Sequence, residues 1–181
     1  MLYYTTVNTR LRESLDILMK APVLKPFRLV GGTALSLQLG HRLSVDIDMF
    51  TDAGYGHIDF KAIDVFMENT FPYFRHFSNF NPAIGKSYAI GTTKDETVKV
   101  DIFYTDAFIQ PDLVVDDIRM ATVEEIIAMK VDVIQRGGRK KDFWDLHELL
   151  LRYDIHSMLL LHQQRYPYTH DRQQILTNLT D

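Results

Sequence analysis

Two aspartates one residue apart inside an apolar run, in Ser44-Val-Asp-Ile-Asp-Met-Phe50, constrain this chain more than any other feature. Side chains alternate along a strand, so Asp46 and Asp48 project from one face about 7 Å apart, while Val45, Ile47 and Met49 are expected to face a core. A buried carboxylate without a partner is costly. The pair must therefore meet a metal ion, the guanidinium of Arg42, or solvent at a strand end. Just upstream, Phe27-Arg-Leu-Val30 reads as a strand running into the glycine pair Gly31-Gly32 and then a short helix. A glycine turn that opens a helix presents backbone N–H groups to phosphate. Strand, glycine turn, helix and acidic strand together are the parts of a nucleotide-handling site.

A third carboxylate follows. Ser87–Gly91 and Thr97–Tyr104 flank the polar turn Thr92–Glu96 and are predicted to pair as a hairpin, with Asp101 in the middle of its second strand. Three aspartates on two strands can hold two metal ions about 3.5–4 Å apart. Such ions would bridge a nucleoside triphosphate, activate an acceptor hydroxyl and neutralise the departing pyrophosphate, which is the arrangement for nucleotidyl transfer.

Around this nucleus the chain reads as α/β (α+β): a mixed sheet flanked by helices, then a helical extension. Leu11, Leu15, Ile17 and Leu18 predict an amphipathic helix over about 8–20, closed by Pro22. Ile58, Ala62, Val65 and Phe66 predict another over 58–69, and Tyr73–Phe77 a strand. Gln110-Pro-Asp112 is the expected hinge between a strand-rich half, 1–110, and a helix-rich half, 111–181, packed on it. Thr122-Val-Glu-Glu125 is a capping box for a helix that Gly137-Gly138 stops near Arg136, and a further helix starts near Arg139. Two more helices are expected around Ile155–Leu161 and Ile175–Leu179, divided by Tyr166-Pro-Tyr168.

The formal net charge of −4 gives no global attraction to nucleic acid, so RNA binding would need a local basic patch. Arg136, Arg139, Lys140 and Lys141 form the one dense cluster. Without cysteine there are no disulfides and no thiolate metal sites, which fits a reducing, cytoplasmic setting. No apolar run is long enough to span a membrane, and the N-terminus does not resemble a secretory signal. Trp144 reads as a packing anchor, and Lys130, on a largely apolar helix, as a lysine reaching along the surface or a cationic contact to phosphate.

The segments Gly31–Leu35, His41–Phe50, the helix of Lys130 and Lys141–Leu149 together resemble the AbiEii/AbiGii nucleotidyltransferase toxin family, within the DNA polymerase β type superfamily. The resemblance runs from about residue 27 to about residue 150. It implies a minimal nucleotidyltransferase fold, Mg²⁺ or Mn²⁺, a nucleoside triphosphate as substrate and, in some members, modification of tRNA ends opposed by an antitoxin protein. By motif match, Gly31, Gly32 and Thr33 would cradle phosphates with Arg42 and Ser44 beside them, Asp46 and Asp48 would bind metal, and Lys130 with Asp142 would complete the catalytic set. Asp101 corresponds to the superfamily's third carboxylate, a metal ligand and catalytic group. Family members run on through a longer helical region than this sequence, which stops at Asp181, so acceptor recognition is the function expected to depart most. Two other readings share the fold: a non-catalytic nucleotide-binding or partner-binding module, and adenylylation of a protein hydroxyl.

Overall fold

A computed structural model describes residues 1–77 and 83–180. Contacts divide the chain into two units, Met1–Thr105 with Asp112–Met120, and Asp106–Pro111 with Ala121–Asp181.

The first unit is built on a seven-stranded mixed sheet in the order β3-β4-β5-β2-β1-β7-β6. Its strands are β1 (Arg28–Val30), β2 (Asp46–Thr51), β3 (Tyr73–Phe77), β4 (Gly85–Thr93), β5 (Glu96–Tyr104), β6 (Leu113–Val115) and β7 (Ile118–Met120). The β4–β5 hairpin forms as its polar turn predicts, with Ser87 opposite Asp101. β2 then joins β5 in parallel, and that pairing sets Asp48 beside Asp101 and Asp46 beside Lys99. Alternation along β2 buries Ile47, Met49 and Thr51 and leaves Asp46, Asp48 and Phe50 half-buried. Val45 lies outside this pattern. It precedes the strand and is 63% exposed, so it faces solvent instead of the core.

Helix α1 (Thr9–Lys20) is capped by the Asn8 side chain, which accepts from the Leu11 N–H at 2.8 Å. It buries Leu11, Leu15, Leu18 and Met19 against the sheet, whereas Ile17 points outward. Helix α3 (Phe60–Thr70) buries Ile63 and Met67, one turn apart, and exposes Val65; its apolar stripe is rotated from the one the sequence suggests. The hairpin β6–β7 is a second departure. Its turn, Asp116-Asp117, has two consecutive left-handed residues, φ 52° and 63°, the geometry of a two-residue hairpin turn that aspartate tolerates. Three-residue strands carry too few positions for alternation to be read, and β7 instead gains its place by pairing with β1, Leu29 beside Met120. Arg119 fixes the hairpin by donating to the carbonyls of Phe27, Met19 and Leu24.

The second unit is helical: α4 (Val123–Gln135), α5 (Lys140–Leu149), α6 (Ile155–Arg165) and α7 (Arg172–Thr180). α4 is its centre, in contact with each of the other three. Only half of the expected capping box forms. Thr122 accepts from the Glu125 N–H, but the fully buried Glu125 carboxylate turns elsewhere: it accepts from Ile109 and Gln110 N–H at 2.8 and 3.0 Å and ion-pairs with the buried Arg165. Arg165 also donates to the carbonyls of Ala107 and Asp106. These bonds tie 106–111 to the helices.

Removing one member of a buried, hydrogen-bonded ion pair costs about 3–5 kcal/mol, because the other charge is stranded. Glu125→Ala is expected to lower stability by that amount in urea titration and to speed hydrogen exchange at Ile109 and Gln110 above that of the sheet amides; unchanged exchange at those two amides would contradict this assignment.

Candidate active site

Helix α2 (Gly31–Leu39) begins at the first glycine, so the double-glycine turn is the helix's own first turn. Gly31 has φ +67°, and a Cβ there would sit 2.6 Å from Oδ2 of Asp48. Glycine is needed on both counts, conformation and close approach. A Cβ at Gly32 would lie 2.5 Å from a terminal nitrogen of Arg42. The carboxylate of Asp48 and the guanidinium of Arg42 therefore lie against neighbouring residues at the start of α2. Val30, at the N-cap of this helix, makes no side-chain cap bond, and the N–H groups of a helix's first turn are an anion-binding feature.

Thr33 and Ser44 do a different job. Both are buried, their hydroxyl oxygens lie 2.7 Å apart, and Thr33 donates to the backbone carbonyl of Asp46. With Thr33's single proton committed there, Ser44 must donate to Thr33. The relay clamps the first turn of α2 to the start of β2, and it turns these hydroxyls inward, where the motif match anticipates contacts to phosphate.

Asp101 is held from two sides. Ser87 Oγ donates to its Oδ1 at 2.6 Å, and Lys99 Nζ lies 2.5 Å from its Oδ2. Neither partner is singled out by sequence reasoning, although both were readable: Ser87 faces Asp101 in the hairpin register, and Lys99 shares its strand face by spacing of two. The structure thus brings together Gly31, Gly32, Thr33, Arg42, Ser44, Asp46, Asp48 and Asp101 in the first unit.

Lys130 and Asp142 belong to the second. Lys130 is not a surface lysine: it is 5% exposed, and its Nζ lies 2.6 Å from Asp142 Oδ1 and 2.7 Å from Asp145 Oδ2. Asp142 also accepts from the backbone N–H and the guanidinium of Arg139, at 3.3 and 2.9 Å. Burial raises the Asp142 pKa, but the hydrogen bonds from Arg139 and Lys130 outweigh it and hold the carboxyl below its ordinary value. Asp145, fully buried, completes the cluster.

Residues 14–180 match the family described as nucleotidyl transferase AbiEii toxin, Type IV TA system. The chain belongs to the AbiEii nucleotidyltransferase toxin family. No curated protein matches it significantly. Among solved structures, it is similar to JHP933 from Helicobacter pylori, at 25% identity and a TM-score of 0.55 over 92% of this chain and 77% of that one. It also resembles an antigenic nucleotidyltransferase-like protein from Paracoccidioides brasiliensis, at 20% identity and a TM-score of 0.54, covering 94% and 85% of the respective chains. Membership makes it a nucleotidyltransferase, and the mixed sheet has the fold expected. No helix among the described residues is long and apolar enough to cross a membrane.

AbiEii membership raises the question of a divalent ion. Among the described residues no three His, Cys, Asp or Glu side chains converge closely enough to hold one. The oxygen chemistry of Asp46 and Asp48 nevertheless suits a hard cation, because Mg²⁺ is commonly bound by one or two carboxylates with substrate phosphates and water filling the remaining positions.

The pH dependence of the Lys130 cluster follows from its charges. A carboxyl whose folded pKa is depressed contributes stability that is present above its unfolded value, about 3.9, and lost as pH falls through the folded value. Lys130→Met should remove the ammonium that Asp142 and Asp145 share, leaving Asp142 with Arg139 as its cation, a deficit of about 3–5 kcal/mol at neutral pH. That deficit should shrink as the pH is lowered to about 4 and below, where Asp142 takes up a proton and no longer needs the ammonium. Urea midpoints of both proteins across this range provide the check, and a deficit independent of pH would exclude the charge account.

Proposed function

We propose that this nucleotidyltransferase moves a nucleoside monophosphate from a nucleoside triphosphate to a hydroxyl of an RNA acceptor, a tRNA end being the leading candidate, and that an antitoxin protein opposes it. The observation that carries this reading is the set Asp46, Asp48 and Asp101 on one face of two adjacent parallel strands, with Asp48 against Gly31 in the first turn of α2. Cations and a helix's first-turn N–H groups beside carboxylates are what a metal-bound triphosphate requires.

In this reading the triphosphate lies against the start of α2, with the N–H groups of the first turn and the guanidinium of Arg42 on its oxygens. Asp46 and Asp48 would hold Mg²⁺ or Mn²⁺, which when bound offsets negative charge on the phosphates and the leaving group. The acceptor oxygen forms its bond to the α-phosphorus as the bond to the pyrophosphate oxygen breaks in line with it. Asp101, oriented by Ser87 and Lys99, receives the acceptor's proton. Thr33 and Ser44 act through Asp46, by fixing the start of β2. Lys130, Asp142 and Asp145 serve the helical unit as a buried cluster.

Two measurements test this. Purified protein with Mg²⁺ or Mn²⁺, each α-labelled nucleoside triphosphate, and total RNA and protein should label RNA, and Asp46→Asn with Asp48→Asn should reduce labelling at least ~100-fold. Labelled protein in place of RNA would redirect the assignment to protein adenylylation, and unlabelled products throughout would favour a binding module. Gly32→Ala tests the triphosphate pose. The alanine fits the helix but must push aside the end of the Arg42 side chain, so KM for the triphosphate should rise about tenfold, the loss of one charge-assisted hydrogen bond, with thermal stability near wild type. An unchanged KM would remove Arg42 from the phosphate site.

A further inference from the structure

Trp144 does not pack inside. It is 62% exposed on α5, the ammonium of Lys140 lies 5.3 Å from its ring centroid, and it is the sole tryptophan of the chain. Lys140, Trp144 and His147 follow on α5 at helical spacings of four and three, and all three are exposed. A large aromatic held in water gives up the burial that ordinarily accounts for its presence. Its surroundings are cationic. Arg139, Lys140 and Lys141 stand at the N-terminal end of α5, and Arg136 lies just before it, both arginine side chains about two-thirds exposed at 67% and 65%.

That placement works against the helix. The N-terminal end of a helix carries partial positive charge and favours acids, so three consecutive cations there oppose the macrodipole. Asp142, the single acid of the first turn, is buried and committed to Lys130 and Arg139, and Asp132 lies against Arg136 and His162. The positive field of Lys140 and Lys141 therefore projects outward beside an exposed ring, with Glu148 the acid one turn further along. Aromatic faces flanked by cations are the general means of gripping unpaired nucleic acid: bases stack on the ring, and ammonium and guanidinium groups follow the phosphates.

We infer that this edge of α5 binds a single-stranded polynucleotide, with an unpaired base stacked on Trp144 and its flanking phosphates on Lys140 and Lys141. This rests on the proposed RNA acceptor for its biological sense but not for its test, which reads binding alone.

Because the chain has one tryptophan, its emission reports directly on the stacked ring. Titrating the full-length protein with an oligouridylate of about ten nucleotides, within the usual span of single-strand sites, should quench that emission. The affinity should fall with salt, and Lys140→Ala with Lys141→Ala should flatten the log–log slope by about 1.4. Trp144→Leu, followed by fluorescence anisotropy of a labelled oligomer, should weaken binding by about tenfold or more. Both variants alter exposed side chains and should melt with wild type. An oligothymidylate quenching as strongly would still support the site and show that it does not read the 2′-hydroxyl. An RNA duplex quenching as strongly would overturn stacking, since its base faces are already covered. Absence of quenching, or a Trp144→Leu protein binding at wild-type strength, would overturn the assignment and leave the edge to a protein partner. Asp46→Asn with Asp48→Asn should bind the oligomer normally, so loss of transfer and loss of this surface remain distinguishable.

Discussion

The parallel pairing of β2 with β5 is the constraint on which the sheet-borne site depends. Each strand alone offers carboxylates at ordinary spacing; the register of Asp48 with Asp101 turns two separate acidic strands into one acidic face. A slip of one residue would send Asp46 and Asp48 to the side where Ile47 and Met49 are fully buried, so the hydrophobic requirement of that side enforces the chemistry of the other. The relay from Ser44 through Thr33 to the Asp46 carbonyl adds a second lock, joining the acidic strand to the helix whose N-terminus it faces.

Much of this was legible in the sequence. The Asp46–Asp48 alternation, the glycine turn and the 87–104 hairpin all follow from local rules with a short period. Legibility failed where long-range pairing decided the outcome. Strands β6 and β7 are three residues each, too short to show a pattern. The same physics explains the half-formed capping box: Glu125 satisfies the local signature, yet a buried arginine 40 residues away and two loop amides provide stronger partners than the cap does. Trp144 was misread because burial is the commoner fate of tryptophan, and only the fold shows on which side of α5 it falls.

The helical unit carries an unusual density of buried charge, with Glu125–Arg165 and Lys130–Asp142–Asp145 both inside. Each cluster is closed by hydrogen bonds that satisfy its members, which is the condition under which buried ions are tolerated. Such clusters contribute less to net stability than well-packed apolar groups would. In exchange they are directional, and they fix how α4, α5 and α6 meet more narrowly than leucines could.

Lys99 acquires a further meaning in this light. A face of clustered carboxylates repels itself, and a chain that relied on a ligand to relieve the repulsion would fold poorly before the ligand arrived. With an ammonium tethered beside Asp101, the strands carry their own counter-ion and can assemble first.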